Sequence, residues 1–442
     1  MGIEEEPWSA PRARGPVDAR VIVPGSKSQT NRALVLGALA TGPSRLVAPL
    51  HARDTLLMKA ALESLGARFT DVIDHGEGTS DWSVEPHPLR GPAQIDCGLA
   101  GTVMRFVPIL AALAKGDVRF DGDPRARVRP MTTTIESLRS LGVRVSDDGR
   151  GALPFTVHGE GSVRGGVVAL DATASSQFVS ALLLAGSSFD DGLTIRHRGG
   201  AIPSMPHLDM TVAMLRASGV DVVVDGNVLG SREWAVAPGP VHGREWQIEP
   251  DLSNSAPFLA AAMVTGGRTE IPHWPQVTDQ AGDRLRELLT AMGGTVERDG
   301  EDLTVTGPAA LLGLDADLHD VGELTPVIAA LCALAKSTSQ LRGIAHLRGH
   351  ETDRLAAIAR EITALGGDVR ETEDGLVINP RVLHGGLVHT YDDHRIATAA
   401  AVLGLAVPDV RVENVSTTSK TLPNFVVLWE SMLGMVPEGA VS

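Results

Sequence analysis

A two-part pattern recurs along the 442-residue chain, and it constrains the fold more than any single motif does. One part is a helix ending in Leu-Gly or a close equivalent, followed by a strand, a tight turn and a second strand. It reads ALESLGARFTDV from residue 61, IESLRSLGVRVSDDG from 135 and MLRASGVDVVVDG from 214. It returns as LRELLTAMGGTVERDGEDLTVTG from 285 and IAREITALGGDVRETEDGLVINP from 358. Gly after the last helical residue supplies the left-handed C-terminal cap, and Asp-Gly supplies a hairpin turn. The copies lie roughly 75 residues apart, a longer period than that of common solenoid units.

The other part is a polar loop, an apolar helix rich in small residues, a turn and a strand. It begins at Ser26, Gly98, Ala174, Leu252, Gly322 and Asp392. The sixth copy of the first part is cut short at 425–433, where the chain runs out. The expected fold is therefore α/β (α+β): six βαβαββ units, arranged as two similar globular domains of three repeats, with inner helices, around an interdomain cleft. No capping repeat appears, which argues against a solenoid. The expected boundaries are 21–247 for one domain, 8–20 plus 248–436 for the other, and tails at 1–7 and 437–442.

Hydrophobic residues make up 43% of the chain but aromatics only 3%, so Leu, Val and Ala must fill most of two cores. The net charge of −15 argues against a general nucleic-acid or membrane-surface binder. Cys97 and Cys332 are far apart and lack metal spacing, so neither a disulfide framework nor a metal site is expected. The acidic start MGIEEEPW is not a signal peptide, and Glu6 stands where myristoylation needs Ser or Thr. The longest apolar runs, such as 325–335, are too short to span a bilayer. A soluble, cytoplasmic protein is expected.

Close packing explains the small residues of the inner helices but not the polarity of their N-terminal ends. These carry Lys27, Arg32, Ser175, Ser176, Gln177, Glu323, Asp393, His394 and Arg395. A helix N-terminus leaves backbone N–H groups unpaired and bears the positive end of the dipole. Added cations make such an end an anion site, here inside an acidic protein. Further cationic clusters are Arg125, Arg127 and Arg129 before Pro130, and the run His346, Arg348, His350, Glu351, Asp353 and Arg354. The stretches TYDDHR and TTSKTLP add Lys420 to His394 and Arg395. Acids and bases beside permanent cations suit acid–base work on an anionic substrate.

PGSKSxxNRAL, AGTxxR, RxRP, SSQF, ETDRL, DHR and TxKTxP occur in that order over 17–433. Together they resemble the 5-enolpyruvylshikimate-3-phosphate synthases. The resemblance implies transfer of the enolpyruvyl group of phosphoenolpyruvate to the 5-hydroxyl of shikimate 3-phosphate, releasing phosphate, with no metal or organic cofactor. It implies two three-repeat domains, the first on the shikimate 3-phosphate side and the second carrying catalysis. Lys27, Ser28, Arg32, Ser175, Ser176, Gln177, Ser204, Glu323, His346 and His350 would bind shikimate 3-phosphate. Lys27, Gly101, Arg129, Gln177, Arg354, Arg395 and Lys420 would bind phosphoenolpyruvate. Glu323 is the candidate base for the 5-hydroxyl, with Lys27, Glu351, His394 and Lys420 as the other catalytic candidates. A monomer whose domains close on its ligands, hinged near 20–21 and 246–249, is expected.

The chain departs from the family's usual residues at Leu99, Phe106, His207 and His350. His350 stands where Lys is common, so a charge that depends on pH replaces a permanent one. Two rival readings are the sister enzyme that uses a UDP-N-acetylglucosamine acceptor, and a non-catalytic anion-binding protein on the same scaffold. The former family carries a reactive Cys in the loop matching 123–130, where this chain has none.

Overall fold

The computed structural model describes residues 6–76, 79–228 and 231–435. Most of the expected tails, 1–5 and 437–442, therefore lies outside the described residues. The chain divides into two compact units, Gly25–Ile248 and Met1–Pro24 with Glu249–Ser442. The first crossing falls at Pro24, a few residues later than 21. Val21 N–H still donates to the Glu270 carbonyl, and Val21 and Val23 are buried in the core of the second unit.

Among the described residues each unit holds three small sheets. Their common plan is visible in the sheet of Ala93–Asp96, Lys115–Asp121, Phe155–Glu160 and Arg144–Ser146. Its first two strands are parallel, and the next two pairings are antiparallel. A parallel pair needs a crossover, which the helix Gly101–Ala111 supplies. The antiparallel pair is the hairpin read from the Gly and Asp-Gly signals. At the helix ends before these hairpins Gly66 and Gly293 have φ of 116° and 97°, a conformation that favours glycine.

Three copies take a strand from a distant part of the chain. Glu245–Gln247 lies parallel to Ser44–Val47 and opens the first repeat. Asp18–Arg20 lies parallel to Arg268–Ile271 and opens the fourth. In the truncated sixth copy the N-terminal Trp8–Ser9 pairs antiparallel with Val410–Val412, giving a three-stranded sheet where the other five have four strands.

Six inner helices carry the polar ends: Lys27–Leu39, Gly101–Ala111, Gln177–Gly186, Ala256–Thr265, Thr325–Ala333 and His394–Gly404. The last two are buried along their whole length. Small residues allow this. A Cβ on Gly37 would lie 3.2 Å from Val84 Cβ, and one on Gly186 would lie 3.1 Å from Leu193 Cβ. Each unit has its own hydrophobic cluster, dominated by Leu, Val and Ala. The few aromatics are spent inside, with Trp82, Trp234, Trp274 and Trp429 all fully buried.

Candidate active site

In the unit 25–248, Ser26 caps the helix Lys27–Leu39 by accepting from Gln29 N–H. Lys27 pairs with the buried Asp54 at 3.7 Å. One turn on, Arg32 is buried and donates to Thr211 Oγ1, Ser180 Oγ and the carbonyls of Ser28 and His207. Its guanidinium sits over the Phe106 ring, so this departure builds a cation–π contact under a buried cation. Arg32 is thereby tied into the helix framework.

The helix Gly101–Ala111 begins beside two more arginines and Gln177. A Cβ on Gly101 would lie 3.0 Å from an Arg105 Nη, 3.2 Å from Gln177 Oε1 and 3.4 Å from an Arg129 Nη. Glycine keeps this approach open. Arg105 donates to the Gly101 carbonyl and stacks over Phe178. Arg129 is 8% exposed, yet its Nε and Nη1 are buried with no hydrogen-bond partner. Gln177 Oε1 is likewise unpaired. Buried guanidinium donors without an acceptor are costly, and an anion is the group that would satisfy them. Arg127 differs, because it makes a two-pronged pair with Asp121. Ser175 Oγ accepts from Gln177 N–H at the start of the next inner helix. Ser204 sits at φ 55°, a strained conformation for serine, ahead of the helix Met205–Ala217.

In the other unit, cations and carboxylates are interleaved. Arg354 is 2% exposed, donating to both oxygens of Asp393 at 2.7 and 3.2 Å and to Glu351 at 3.0 Å. Burial alone would lower the Arg354 pKa, but the charges of Asp393, Glu351 and Glu323 outweigh it and hold it above its ordinary value. Lys420 Nζ lies 2.5 Å from the other Glu351 oxygen. Asp393 also caps the helix His394–Gly404, accepting from Arg395 N–H. Arg395 reaches Glu323 at 3.2 Å and the Ser253 carbonyl at 2.8 Å. His394 Nδ1 lies 3.8 Å from Asp393 Oδ1, so Glu323, Glu351, Arg354, His394, Arg395 and Lys420 belong to one connected region.

Three histidines border it. His346 packs between His319 and His350, with ring centroids 5.7 and 5.9 Å away. Burial, aided by the neighbouring His319 and Arg354 charges, pushes its pKa down to about 4. His346 is thus neutral at ordinary pH. Arg354 Nη1 lies 3.3 Å from His350 Nδ1. The same Nδ1 lies 3.8 Å from Glu351 Oε2, so a cation and a carboxylate both approach this ring nitrogen. Cys97 and Cys332 are free and buried, and burial raises both thiol pKa values, that of Cys332 to about 12. Among the described residues no group of three or more His, Cys, Asp or Glu is placed to hold a metal ion.

Sequence reading passed over Asp54 and gave Asp393 no role, yet these carboxylates orient Lys27 and Arg354. A signal existed for Asp393, since Asp immediately before a helix is a preferred N-cap. Nothing local marked Asp54, which lies on a neighbouring outer helix, Arg53–Ser64.

A family model described as EPSP synthase (3-phosphoshikimate 1-carboxyvinyltransferase) matches residues 11–429. The chain belongs to the EPSP synthase family. A 3-phosphoshikimate 1-carboxyvinyltransferase of Kocuria rhizophila is 55% identical over 437 residues, covering 98% of this chain and 97% of that protein. The solved structure of EPSP synthase from Acinetobacter baumannii superposes with a TM-score of 0.78 at 26% identity, covering 96% of this chain and 98% of that one. The enolpyruvyl transferase NikO from Streptomyces tendae shares the fold, with a TM-score of 0.73 at 16% identity, and covers 95% and 96% of the two chains. The two-domain mixed fold expected from the repeats agrees with these likenesses. Among the described residues no helix is long and apolar enough to cross a membrane.

Proposed function

We propose that the chain transfers the enolpyruvyl group of phosphoenolpyruvate to the 5-hydroxyl of shikimate 3-phosphate and releases phosphate. The observation that carries the reading is Arg129, a buried cation with two unsatisfied donors, beside the open N-terminus at Gly101. Such a group is built for a small, strongly anionic ligand.

In the proposed reaction a proton is delivered to the methylene carbon of phosphoenolpyruvate, leaving C2 electron-poor. The 5-hydroxyl oxygen bonds to C2 as a base takes its proton. The tetrahedral adduct then loses a proton from the new methyl group and expels phosphate, restoring the enol ether. Glu323 is the proposed base for the hydroxyl. Glu351 and Lys420, 2.5 Å apart, are proposed for proton delivery and return at the methylene carbon, with Lys27 and His394 as further candidates. Arg129 and Gly101, and separately Arg354, Arg395 and Lys420, are proposed to bind phosphoenolpyruvate. Ser28, Arg32, Ser175, Ser176, Gln177, Ser204, Glu323, His346 and His350 are proposed for shikimate 3-phosphate, with Lys27 and Gln177 reaching both ligands.

A cytoplasmic, monomeric enzyme that binds no nucleic acid is proposed, in keeping with buried free thiols and the net negative charge. Phosphate release from phosphoenolpyruvate, assayed with shikimate 3-phosphate and with UDP-N-acetylglucosamine, tests the reading. Turnover with the first acceptor alone is expected. Turnover only with the second, or with neither, would overturn it.

A further inference from the structure

We propose that Glu361 and Tyr391 form a positioning pair that sets the phosphoenolpyruvate-binding arginines Arg354 and Arg395, an inference that rests on the function proposed above. Arg354 and Glu361 lie two helical turns apart on the helix Arg354–Ala364, so they share a face, and both are buried. Both project onto the segment that enters the helix His394–Gly404. Arg354 holds Asp393 through two bonds, and Glu361 accepts from the Tyr391 hydroxyl at 2.5 Å and from His389 N–H at 2.9 Å. One helix face therefore clamps residues 389–393 at both ends.

The clamp spans a strained turn. Tyr391 and Asp392 have φ of 56° and 55°, two consecutive non-glycine residues in the left-handed region. Such backbone persists only where surrounding contacts over-determine it. The turn delivers Asp393 to Arg354 and to Arg395 N–H, and Arg395 in turn reaches Glu323 and Ser253. Release of the Tyr391 hydroxyl frees the turn to relax and moves Asp393, the carboxylate that holds the Arg354 guanidinium and accepts from the Arg395 backbone N–H.

The pair has its own spectroscopic reporter, because Tyr391 is the sole tyrosine of the chain. Burial, together with the hydrogen bond and charge of Glu361, raises its pKa, while Arg360 opposes the shift. His389 also faces the ring, and is itself paired with Glu413.

The test is steady-state kinetics on wild type, Tyr391→Phe and Glu361→Gln, with both substrates varied, alongside alkaline absorbance titration of wild type and Glu361→Gln. In Tyr391→Phe the KM for phosphoenolpyruvate should rise roughly tenfold, the scale of one lost hydrogen bond to a charged group. The KM for shikimate 3-phosphate should stay within about twofold, where a merely structural defect would raise both or lower only active-enzyme yield. Glu361→Gln keeps one acceptor but no charge, so its KM should rise less and its tyrosine should ionise at lower pH than in wild type. An unchanged phosphoenolpyruvate KM in Tyr391→Phe, equal increases for both substrates, or an unmoved tyrosine titration would overturn the proposal alone. An inactive wild type would overturn the functional reading, and this proposal with it.

Discussion

Lys420 Nζ and Glu351 Oε1 stand 2.5 Å apart, both nearly excluded from solvent, while the other Glu351 oxygen accepts from Arg354. A carboxylate shared by an ammonium and a guanidinium is held in one orientation, and a proton can pass along the short contact with Lys420. That geometry is the reason this pair is proposed for proton transfer at the methylene carbon.

Glu351→Gln keeps the size and one of the two acceptor oxygens but cannot exchange a proton. The expected result is a fall in kcat of roughly 10²–10⁴-fold, the usual worth of a general acid or base. Phosphate release under saturating substrates measures it, and near-normal kcat would assign the step to another group.

Glu323→Gln should leave the affinity for shikimate 3-phosphate within a few-fold of wild type while kcat drops by a similar roughly 10²–10⁴-fold factor. Glu323 reaches Arg395 at 3.2 Å, and the amide oxygen of Gln can accept the same bond. Calorimetry paired with kinetics separates the two effects. Parallel losses in binding and turnover would make Glu323 a binding group rather than the base.

Arg129→Met should act in opposite directions on the free and the liganded protein. The free protein loses a buried cation with two unsatisfied donors, so its stability should rise by about 1–3 kcal/mol. Phosphoenolpyruvate affinity should fall by about 2–5 kcal/mol, and that of shikimate 3-phosphate far less. Denaturant melts and calorimetry check both halves. A destabilised free variant with unaltered phosphoenolpyruvate binding would contradict the anion-site account.

His346 makes stability depend on pH. Its folded pKa, about 4, is depressed below the ordinary 6.5, so the native ring holds less proton than the unfolded one between those values. Its contribution to stability is fully present above about pH 6.5 and is lost as pH falls toward 4, by at most about 3 kcal/mol. Urea unfolding at pH 7 and pH 5 should show a smaller loss in His346→Asn than in wild type. Equal losses would mean that His346 does not titrate as described.

The repeats were legible in the sequence because they are local: a 3.6-residue period, a glycine at each helix end, a hairpin turn. The completion of the sixth sheet by Trp8–Ser9 was not, since a two-residue edge strand has no periodicity and its partner lies about 400 residues away. The cations of the candidate site were legible because Lys and Arg at helix starts are conspicuous. What distinguishes them was not. Arg127 and Arg129 sit two apart in one RxR run, yet one is paired with Asp121 and the other is buried with unsatisfied donors. Arg127 lies within the 3₁₀ turn Ala126–Val128 and Arg129 caps its end, a local path the RxR spacing does not reveal. The approach of both Arg354 and Glu351 to His350 Nδ1 likewise depends on side-chain placement.

The most direct test follows the bridging oxygen of phosphoenolpyruvate. With ¹⁸O at the C–O–P bridge and shikimate 3-phosphate as acceptor, enolpyruvyl transfer breaks the C–O bond. All of the label should then leave in inorganic phosphate, read by the isotope shift in ³¹P resonance, while the carbon product carries an unlabelled ether oxygen. Label retained on the three-carbon fragment would mean that the P–O bond is cleaved, and would contradict enolpyruvyl transfer as the function of this chain.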